Sequence, residues 1–425
     1  MEEAKKFIQT PVKGMQDFLP ADMLLRQHVL GLIRDTYAKF GFDEIETPVM
    51  EHIENLTGRQ GGENEKLIFK VLKRGAELER GMKSGELADS ALRYDLTVPL
   101  CRYYACHRND LPSPFKALQI GNVFRADRPQ KGRFRQFTQC DIDIIGDSSI
   151  MAEIELIAAT SKALTTIFAE VGISAFTVHV NDRRVLKAMA ANAGFSEDQY
   201  DEIFIILDKM DKIGLEGVKE NLLEEGFAAE SVEKYVSFFR LLEEGTQMTD
   251  FIRETCGGDA AQGMSEDLSA IMDAAKGMLD ASVTLKFDPT LVRGMSYYTG
   301  TIFEITIDNY SFSIAGGGRY DKMVGRFCGQ DAPACGFSIG FERIVTILRD
   351  LNWKMPSETE KAAYLVDMKS AGSRVKEVFE KATQLREAGT IVTVQPLRKN
   401  AKFQVDMLES AGYAKIEKVY ADTVL

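Results

Sequence analysis

A basic loop between two strand-like runs, at residues 122–146, constrains this chain more than any other segment. Its basic residues are Arg125, Arg128, Lys131, Arg133 and Arg135. Guanidinium groups stay charged at any working pH and bind phosphate oxygens in pairs. A strand-loop-strand of this kind suits a polyphosphate ligand such as a nucleotide. Taken alone, the loop fits a solvated, charge-rich edge hairpin better, because charged turns are common.

The strand after the loop alternates strictly, so its two faces differ in character. One face carries Thr138, Cys140, Ile142 and Ile144, and the other carries Gln139, Asp141 and Asp143. A polar and acidic row beside a basic hairpin fits a ligand that has a phosphate end and an ammonium or imidazole end.

Length and composition bound the fold and the compartment. The chain has 425 residues, which predicts roughly two to four domains. Its 45% hydrophobic and 27% charged residues are typical of globular proteins. The six cysteines form no Cys-x-x-Cys pair, so we expect reduced thiols in a cytoplasmic protein and no metal site. No stretch approaches the roughly 18 apolar residues of a membrane span, so we expect a soluble protein without membrane contact.

The formal net charge of -12 argues against a chain that coats nucleic acid nonspecifically, because excess Lys and Arg drive that mode of binding. Placed clusters of basic residues must therefore make any nucleic-acid contact.

Periodicity divides the chain. Residues 21–40 predict a long amphipathic helix, and residues 42–48 and 92–98 predict strands. A helical insertion is expected at about 183–280, and strand patterns return at 296–308, so the segments on either side belong to one domain. From 361 to 425 the tail alternates strand, helix, strand, helix, strand, which predicts a small parallel α/β domain.

Two further segments carry candidate chemistry. Residues 291–304 read Leu-Val-Arg-Gly-Met-Ser-Tyr-Tyr-Thr-Gly-Thr-Ile-Phe-Glu, and residues 315–321 read Ala-Gly-Gly-Gly-Arg-Tyr-Asp. Consecutive glycines let a ligand approach the backbone closely, although an ordinary glycine-rich turn explains such a run better when it is taken alone. No Walker loop or dinucleotide-binding fingerprint occurs.

A strand that runs into a helix at residues 336–348 places Arg343 in the first helical turn. A cation opposes the helix dipole at that position, so a phosphate ligand explains it better than helix stability does.

In this order, residues 10–48, the basic loop with its flanking strands at 122–146, and residues 336–348 resemble the three signature motifs of class II aminoacyl-tRNA synthetases. Residues 291–304 and 315–321 resemble the two motifs particular to the histidyl-tRNA synthetase family, and the resemblance spans at least residues 11–350. It implies an α+β fold with an antiparallel sheet flanked by helices, a catalytic domain at 1–353 with the insertion inside it, and an anticodon-binding-like domain at 361–425. It also implies ligation of histidine to its tRNA with ATP and Mg²⁺, and a homodimer formed through the first motif, residues 10–48.

The resemblance further implies roles for individual residues. Arg125, Arg293 and Arg343 would be catalytic, and ATP would bind to Arg125, Arg133 and Arg343. Histidine would bind to Asp95, Thr97, Gln139, Asp143, Tyr297, Tyr298 and Tyr320. Ser296 stands where many members of the family carry Asp, so no carboxylate role is carried over to it. The tail is also shorter than the family's usual module.

One alternative from a non-catalytic class stays open, namely the synthetase-like regulatory subunit of ATP phosphoribosyltransferase. Such a subunit shares the fold, typically lacks the tail domain and tolerates loss of the ATP-binding arginines. Because this chain keeps Arg125, Arg293 and Arg343, the sequence favours the ligase. A tRNA-sensing module would be fused to an effector domain, and nothing in the sequence indicates one.

Overall fold

The computed structural model describes residues 7–57, 63–130, 132–243, 245–293, 297–355 and 359–425. Lys131 of the basic loop and Ser296 lie outside these residues. The chain divides into two compact units, Met1–Trp353 and Lys354–Leu425. Among the described residues, no helix is both long enough and apolar enough to cross a membrane.

The helices of the described residues are α1 (Pro20–Lys39), α2 (Ile53–Leu56), α3 (Gly75–Ser84), α4 (Thr97–His107), α5 (Met151–Ala169), α6 (Arg183–Ala193), α7 (Tyr200–Leu207), α8 (Met210–Glu224), α9 (Ala229–Glu243), α10 (Met248–Cys256), α11 (Gly258–Lys276), α12 (Gly325–Cys328), α13 (Phe341–Asp350), α14 (Val375–Glu387) and α15 (Ala401–Ser410). Short 3-10 helices occur at Glu63–Leu67, Glu197–Gln199 and Gly372–Arg374.

The strands are β1 (Asp43–Ile45), β2 (Met50–His52), β3 (Lys70–Leu72), β4 (Ala88–Leu92), β5 (Phe115–Phe124), β6 (Gln136–Ile145), β7 (Phe176–Asp182), β8 (Val283–Phe287), β9 (Thr301–Thr306), β10 (Ser313–Arg319), β11 (Ala334–Gly340), β12 (Lys361–Val366), β13 (Ile391–Pro396) and β14 (Lys415–Val419).

An eight-stranded sheet forms the centre of the first unit, in the order β1-β5-β6-β11-β10-β9-β7-β8. The strands from β5 to β7 in this order pair antiparallel, while the two edge pairs, β1 with β5 and β7 with β8, are parallel. The apolar face of β6 joins α1 and α5 in one core, in which Val29, Ile33 and Tyr37 of α1 are fully buried. The opposite face of β6 is left for polar side chains. The predicted α+β architecture is confirmed.

Helices α6 to α11 form the insertion between β7 and β8. Their buried aromatic residues continue the core of the central sheet, and Tyr235 makes edge contacts with Phe195 and Phe239 at centroid distances of 5.7 and 5.3 Å. Because β7 and β8 pair in parallel, a crossover connection must join them, and the helical insertion is that connection.

The strand predicted at residues 92–98 is wrong. Strand β4 ends at Leu92, and helix α4 begins at Thr97. The Asp95 carboxylate accepts a hydrogen bond from the Val98 backbone N–H at 3.0 Å, which satisfies one of the free donors at a helix start. Pro99 falls in the first turn, where proline is tolerated. Alternation over so few residues did not distinguish a strand from a capped helix start.

The strand expected after the basic loop is present as β6, whereas two other predicted strands of the first unit are shorter than expected. The pattern at 42–48 forms only Asp43–Ile45, and the pattern at 296–308 forms Thr301–Thr306.

The second unit consists of the parallel sheet β13-β12-β14 with α14 and α15. Tyr364, Val366 and Val378 are buried in one cluster and Leu365 and Leu408 in another, so the unit has its own apolar core. The small α/β domain expected in the tail is present.

Candidate active site

A cavity of about 460 Å³ lies over the polar face of β6, β11 and β10. All of the site residues predicted from the sequence line it, namely Asp95, Thr97, Arg125, Arg133, Gln139, Asp143, Arg293, Tyr297, Tyr298, Tyr320 and Arg343. Segments that are far apart in the sequence thus meet in one place, although their individual roles stay predictions.

Arg125 is held in place at the start of the basic loop. Its Nε donates a hydrogen bond to the Tyr94 carbonyl at 3.0 Å, and its guanidinium stacks over the rings of Tyr94 and Phe137 at 4.3 and 5.1 Å. Such stacking fixes the plane of the guanidinium, so the group is preorganised for an anionic partner.

Arg343 enters the cavity from the first turn of α13, as predicted. It donates hydrogen bonds to the carbonyl and the hydroxyl of Ser313, the latter at 3.1 Å. Burial and then the nearby Arg133 charge lower the pKa of Arg343. A ligand with negative charge would relieve this repulsion between neighbouring cations.

Arg293 occupies the space above strand β10. Its φ of 62° lies in the left-handed region, which is uncommon outside glycine. Its guanidinium pairs with Glu304 at 2.6 Å, and a Cβ added at Gly316 would overlap it. Burial opposes the charge, but Tyr298 and Glu304 outweigh it and raise the pKa of Arg293. Within the described residues, its buried Nε has no hydrogen-bond partner, so a donor remains for a ligand.

Asp143 lies on the acidic side of the cavity. The Tyr320 hydroxyl donates a hydrogen bond to its Oδ1 at 2.5 Å, while the buried Oδ2 has no partner within the described residues. Burial raises the pKa of Asp143 to about 7. Gly336 provides the space for this carboxyl group, because a Cβ there would overlap Oδ1. An N–H donor on a ligand would satisfy the free oxygen.

Aromatic rings close the cavity beside Asp143. Tyr297 lies 4.8 Å from Tyr298 and 6.0 Å from Tyr320 between ring centroids, and it shares a hydrogen bond with Thr97. Burial also raises the pKa of Asp95 on this side. The cavity therefore has a cationic part and a part with carboxyl and aromatic groups.

Comparison with known proteins identifies the family. A sequence profile of histidyl-tRNA synthetase matches residues 14–344. The chain is also 44% identical to a histidine–tRNA ligase of Leifsonia xyli subsp. xyli, over 97% of this chain and 96% of that protein. The chain belongs to the histidyl-tRNA synthetase family. The resemblance stated from the five sequence motifs is confirmed.

Solved structures agree with this assignment. The histidyl-tRNA synthetase from Nostoc sp. PCC 7120 superposes with a TM-score of 0.75 at 28% identity, covering 96% of this chain and 90% of that chain. A protein from Bacillus halodurans, described as an ATP phosphoribosyltransferase regulatory subunit/histidyl-tRNA synthetase, has the same TM-score at 23% identity, covering 97% of this chain and 99% of that one. The latter likeness concerns the fold alone.

Several lining residues of this synthetase-family cavity were not assigned a site role from the sequence. They are Tyr94, Asp127, Phe134, Phe137, Asp141, Asp208, Glu304, Ser338 and Glu342. Alternation along β6 placed Asp141 on the polar face, which was the available signal. Ser338 lies opposite Asp141, and Glu304 lies opposite Gly316, in neighbouring strands of the sheet. The sequence motifs do not specify which residues of two strands face each other, so these two residues could not be assigned to the cavity from the sequence.

The consecutive glycines line the cavity, and Gly316 also provides space for a side chain of the protein itself. They lie within strand β10, where Gly316 provides space for Arg293 and Gly317 faces the backbone of Gly336 and Phe337. Close approach is thus needed, but the group that approaches Gly316 is an arginine of the same chain.

Proposed function

We propose that this chain activates histidine with MgATP and transfers the histidyl group to the terminal adenosine of its tRNA. One observation carries the proposal: a single cavity joins a cluster of arginines to a pocket of carboxyl and aromatic groups. The substrates need this division, because ATP is polyanionic while histidine presents an ammonium and an imidazole.

In the first step, a carboxylate oxygen of histidine attacks the α-phosphorus of ATP. The bond to the bridging oxygen breaks and pyrophosphate leaves, so histidyl-adenylate forms. In the second step, a ribose hydroxyl of the tRNA attacks the histidyl carbonyl carbon and gives up its proton. The bond from that carbon to the phosphate oxygen breaks, and AMP leaves. The first step needs no general base, since a carboxylate is ionised near neutral pH, so positioning and electrostatics supply the catalysis.

The arginines have distinct tasks in this scheme. Arg125, Arg133 and Arg343 bind the triphosphate, with Mg²⁺ arriving as part of the MgATP substrate. Arg293 approaches the α-phosphate and stabilises the charge that develops there. Its buried, unpartnered Nε supports this role.

The opposite side binds the amino acid. Asp95 and Thr97 hold the α-ammonium group, and Gln139 and Asp143 contact the same substrate. Tyr297, Tyr298 and Tyr320 surround the imidazole. The free Oδ2 of Asp143 supports this assignment, because it can accept an N–H of the substrate.

Assembly and location belong to the same proposal. The chain acts as a cytoplasmic homodimer whose interface includes the first motif, residues 10–48. Phe7, Ile8, Val12 and Leu19 are each at least 65% exposed along this N-terminal region, and a partner subunit would cover them. We further assign catalysis to residues 1–353 and tRNA anticodon binding to residues 361–425.

Exchange of labelled pyrophosphate into ATP tests the proposal, with histidine and a panel of other amino acids supplied separately. Exchange that depends on histidine alone is the expected result. Histidine binding without exchange would favour the regulatory-subunit alternative, and equal exchange with several amino acids would contradict the assigned specificity.

A further inference from the structure

Asp141 is a buried acid of the cavity to which the scheme above gives no task. It lies between Gln139 and Asp143 on the polar face of β6, and only 4% of it is exposed. It pairs across the sheet with Gln119 on β5 and Ser338 on β11. Burial of a carboxyl group is costly unless hydrogen bonds compensate it, so its hydrogen-bond partners indicate its role.

Those partners are Gln139 and Ser338. The Gln139 Nε2 donates a hydrogen bond to the Ser338 Oγ at 2.9 Å and lies 3.4 Å from each Asp141 carboxyl oxygen. The Ser338 hydroxyl in turn bonds to Asp141. A hydroxyl that accepts from an amide still has one proton to donate, and Asp141 is the acceptor for it.

The contact with Arg125 shows which way the Gln139 amide faces. Its Nη2 lies 3.5 Å from the Gln139 Oε1, and a guanidinium donates hydrogen bonds but cannot accept them. The amide must therefore turn its oxygen to Arg125 and its nitrogen to Asp141 and Ser338. The opposite orientation would set donor against donor beside Arg125 and leave the acceptors on the other side unsatisfied.

We propose that Asp141 and Ser338 are positioning residues that hold the Gln139 oxygen toward the cavity as an acceptor for the substrate's α-ammonium group. The inference rests on the proposed function. Gln139 touches the substrate, whereas Asp141 acts through Gln139. Without them, only the 3.5 Å contact with Arg125 would orient the amide, and a rotation would turn its N–H groups toward a cationic substrate.

Asp141→Asn tests this directly, since it keeps the shape of the side chain but supplies an amide donor in place of an acceptor. The KM for histidine in pyrophosphate exchange should rise about tenfold or more, while the KM for ATP stays within about twofold. Asp147→Asn, just beyond the end of β6, is the matched control and should leave both constants unchanged. An unchanged KM for histidine in Asp141→Asn would overturn the proposal.

A double-mutant cycle separates positioning from direct contact or general loosening of the fold. In a Gln139→Ala background, Asp141→Asn should have no further effect on the KM for histidine, because the amide it positions is gone. An equal rise in both backgrounds would overturn the proposal.

Ser338→Ala provides a second variant if Asp141→Asn does not fold, as judged by circular dichroism and the thermal midpoint. It should raise the KM for histidine in the same direction, and an unchanged value would overturn the proposal. Loss of histidine-dependent exchange in the unmodified protein would instead contradict the proposed function itself.

Discussion

At the scale of single residues, we expect the protonation of Asp143 to govern how histidine binding depends on pH. Burial raises the pKa of its carboxyl group to about 7, and the Tyr320 hydroxyl donates a hydrogen bond to it. The carboxylate is the better acceptor for substrate N–H groups, so kcat/KM for histidine should fall as the pH drops through about 7. Tyr320→Phe removes a bond that favours the charged form, so the inflection should move to higher pH.

Profiles of kcat/KM for histidine between about pH 5.5 and 8.5, measured for the unmodified protein and for Tyr320→Phe, test this. Titration of the substrate is the same in both profiles, so it does not account for a shift between them. An inflection that stays in place in Tyr320→Phe would show that another group governs it.

The contribution of Asp143 to folding stability depends on pH in the opposite direction. Since the folded pKa of Asp143 exceeds the unfolded value of about 3.9, its carboxyl group favours folding less as the pH rises between those values.

A second residue-scale prediction concerns Gly316. A Cβ at this position would overlap the Arg293 guanidinium, so Gly316→Ala should displace Arg293 from the cavity and lower histidine-dependent exchange by about a hundredfold. Gly263→Ala is the matched control, because nothing lies within 4 Å of a Cβ there and α11 should gain rather than lose stability. Equal activity of the two variants would mean that Arg293 contributes little to the chemistry.

The site was predictable from the sequence where its residues belong to recognisable motifs. Arg125, Arg293 and Arg343 were chosen on that basis, and all three line the cavity. Partners that depend on three-dimensional pairing were not predictable. Ser338 and Glu304 meet their partners across strands or loops, and a single sequence does not specify which residues face each other across a sheet.

At the scale of elements, a buried ion pair connects α1, α13 and β6. Arg26 of α1 donates two hydrogen bonds to Glu342 of α13, at 2.5 and 2.8 Å, and Glu342 accepts another from the Thr138 backbone N–H at 3.2 Å. Both partners of the pair are less than 10% exposed. This pair thus holds the helix that carries Arg343 against the strand that carries Gln139.

Arg26→Met should therefore destabilise the fold by about 3–5 kcal/mol, because it leaves the Glu342 carboxylate buried without its cation. Arg34, also on α1, forms an exposed ion pair with Glu44 of β1. Arg34→Met should therefore lower the free energy of unfolding by no more than about 1 kcal/mol. Urea unfolding of the two variants measures the difference. Similar midpoints would show that the Arg26 pair contributes no more than a surface contact.

Secondary structure was predictable where periodicity ran for several turns or strands. The helix at 21–40 and the alternating elements of the tail are examples. The strand predicted at 92–98 failed because helix α4 begins at Thr97, where the Val98 N–H donates a hydrogen bond to Asp95, and this local bond overrides a short alternating pattern. The parallel pairing of β1 with β5 and of β7 with β8 was also not predicted, since partners of edge strands are remote in sequence.

At the scale of the whole molecule, the residues that line the candidate active site all belong to the first unit. Every residue that lines the cavity precedes Trp353, and the second unit has an apolar core of its own. A net charge of -12 means that tRNA must be bound through local basic groups rather than through the overall field. In the second unit, Arg398, Lys399 and Lys402 form a basic cluster at the start of α15, and we expect it to contact tRNA.

Deletion of residues 361–425 should separate the two steps of the reaction. Histidine-dependent pyrophosphate exchange should stay within about threefold of the full chain, because the cavity and its supporting elements remain. Charging of tRNA should fall by at least about tenfold, since contacts outside the acceptor end are lost. Both rates are measured on the same preparation, so partial inactivation would lower them together.

Replacement of Arg398, Lys399 and Lys402 by Ala, in the full chain, distinguishes loss of contact from loss of a domain. This variant should raise the KM for tRNA and weaken its salt dependence while exchange stays constant, because phosphate contacts release counterions on binding. Lys376→Ala, on the exposed side of α14, is a control for the loss of a surface cation elsewhere in the tail. If the deletion impairs charging but the triple replacement does not, other groups of the tail contact the tRNA; if neither does, the tail takes no part in its recognition.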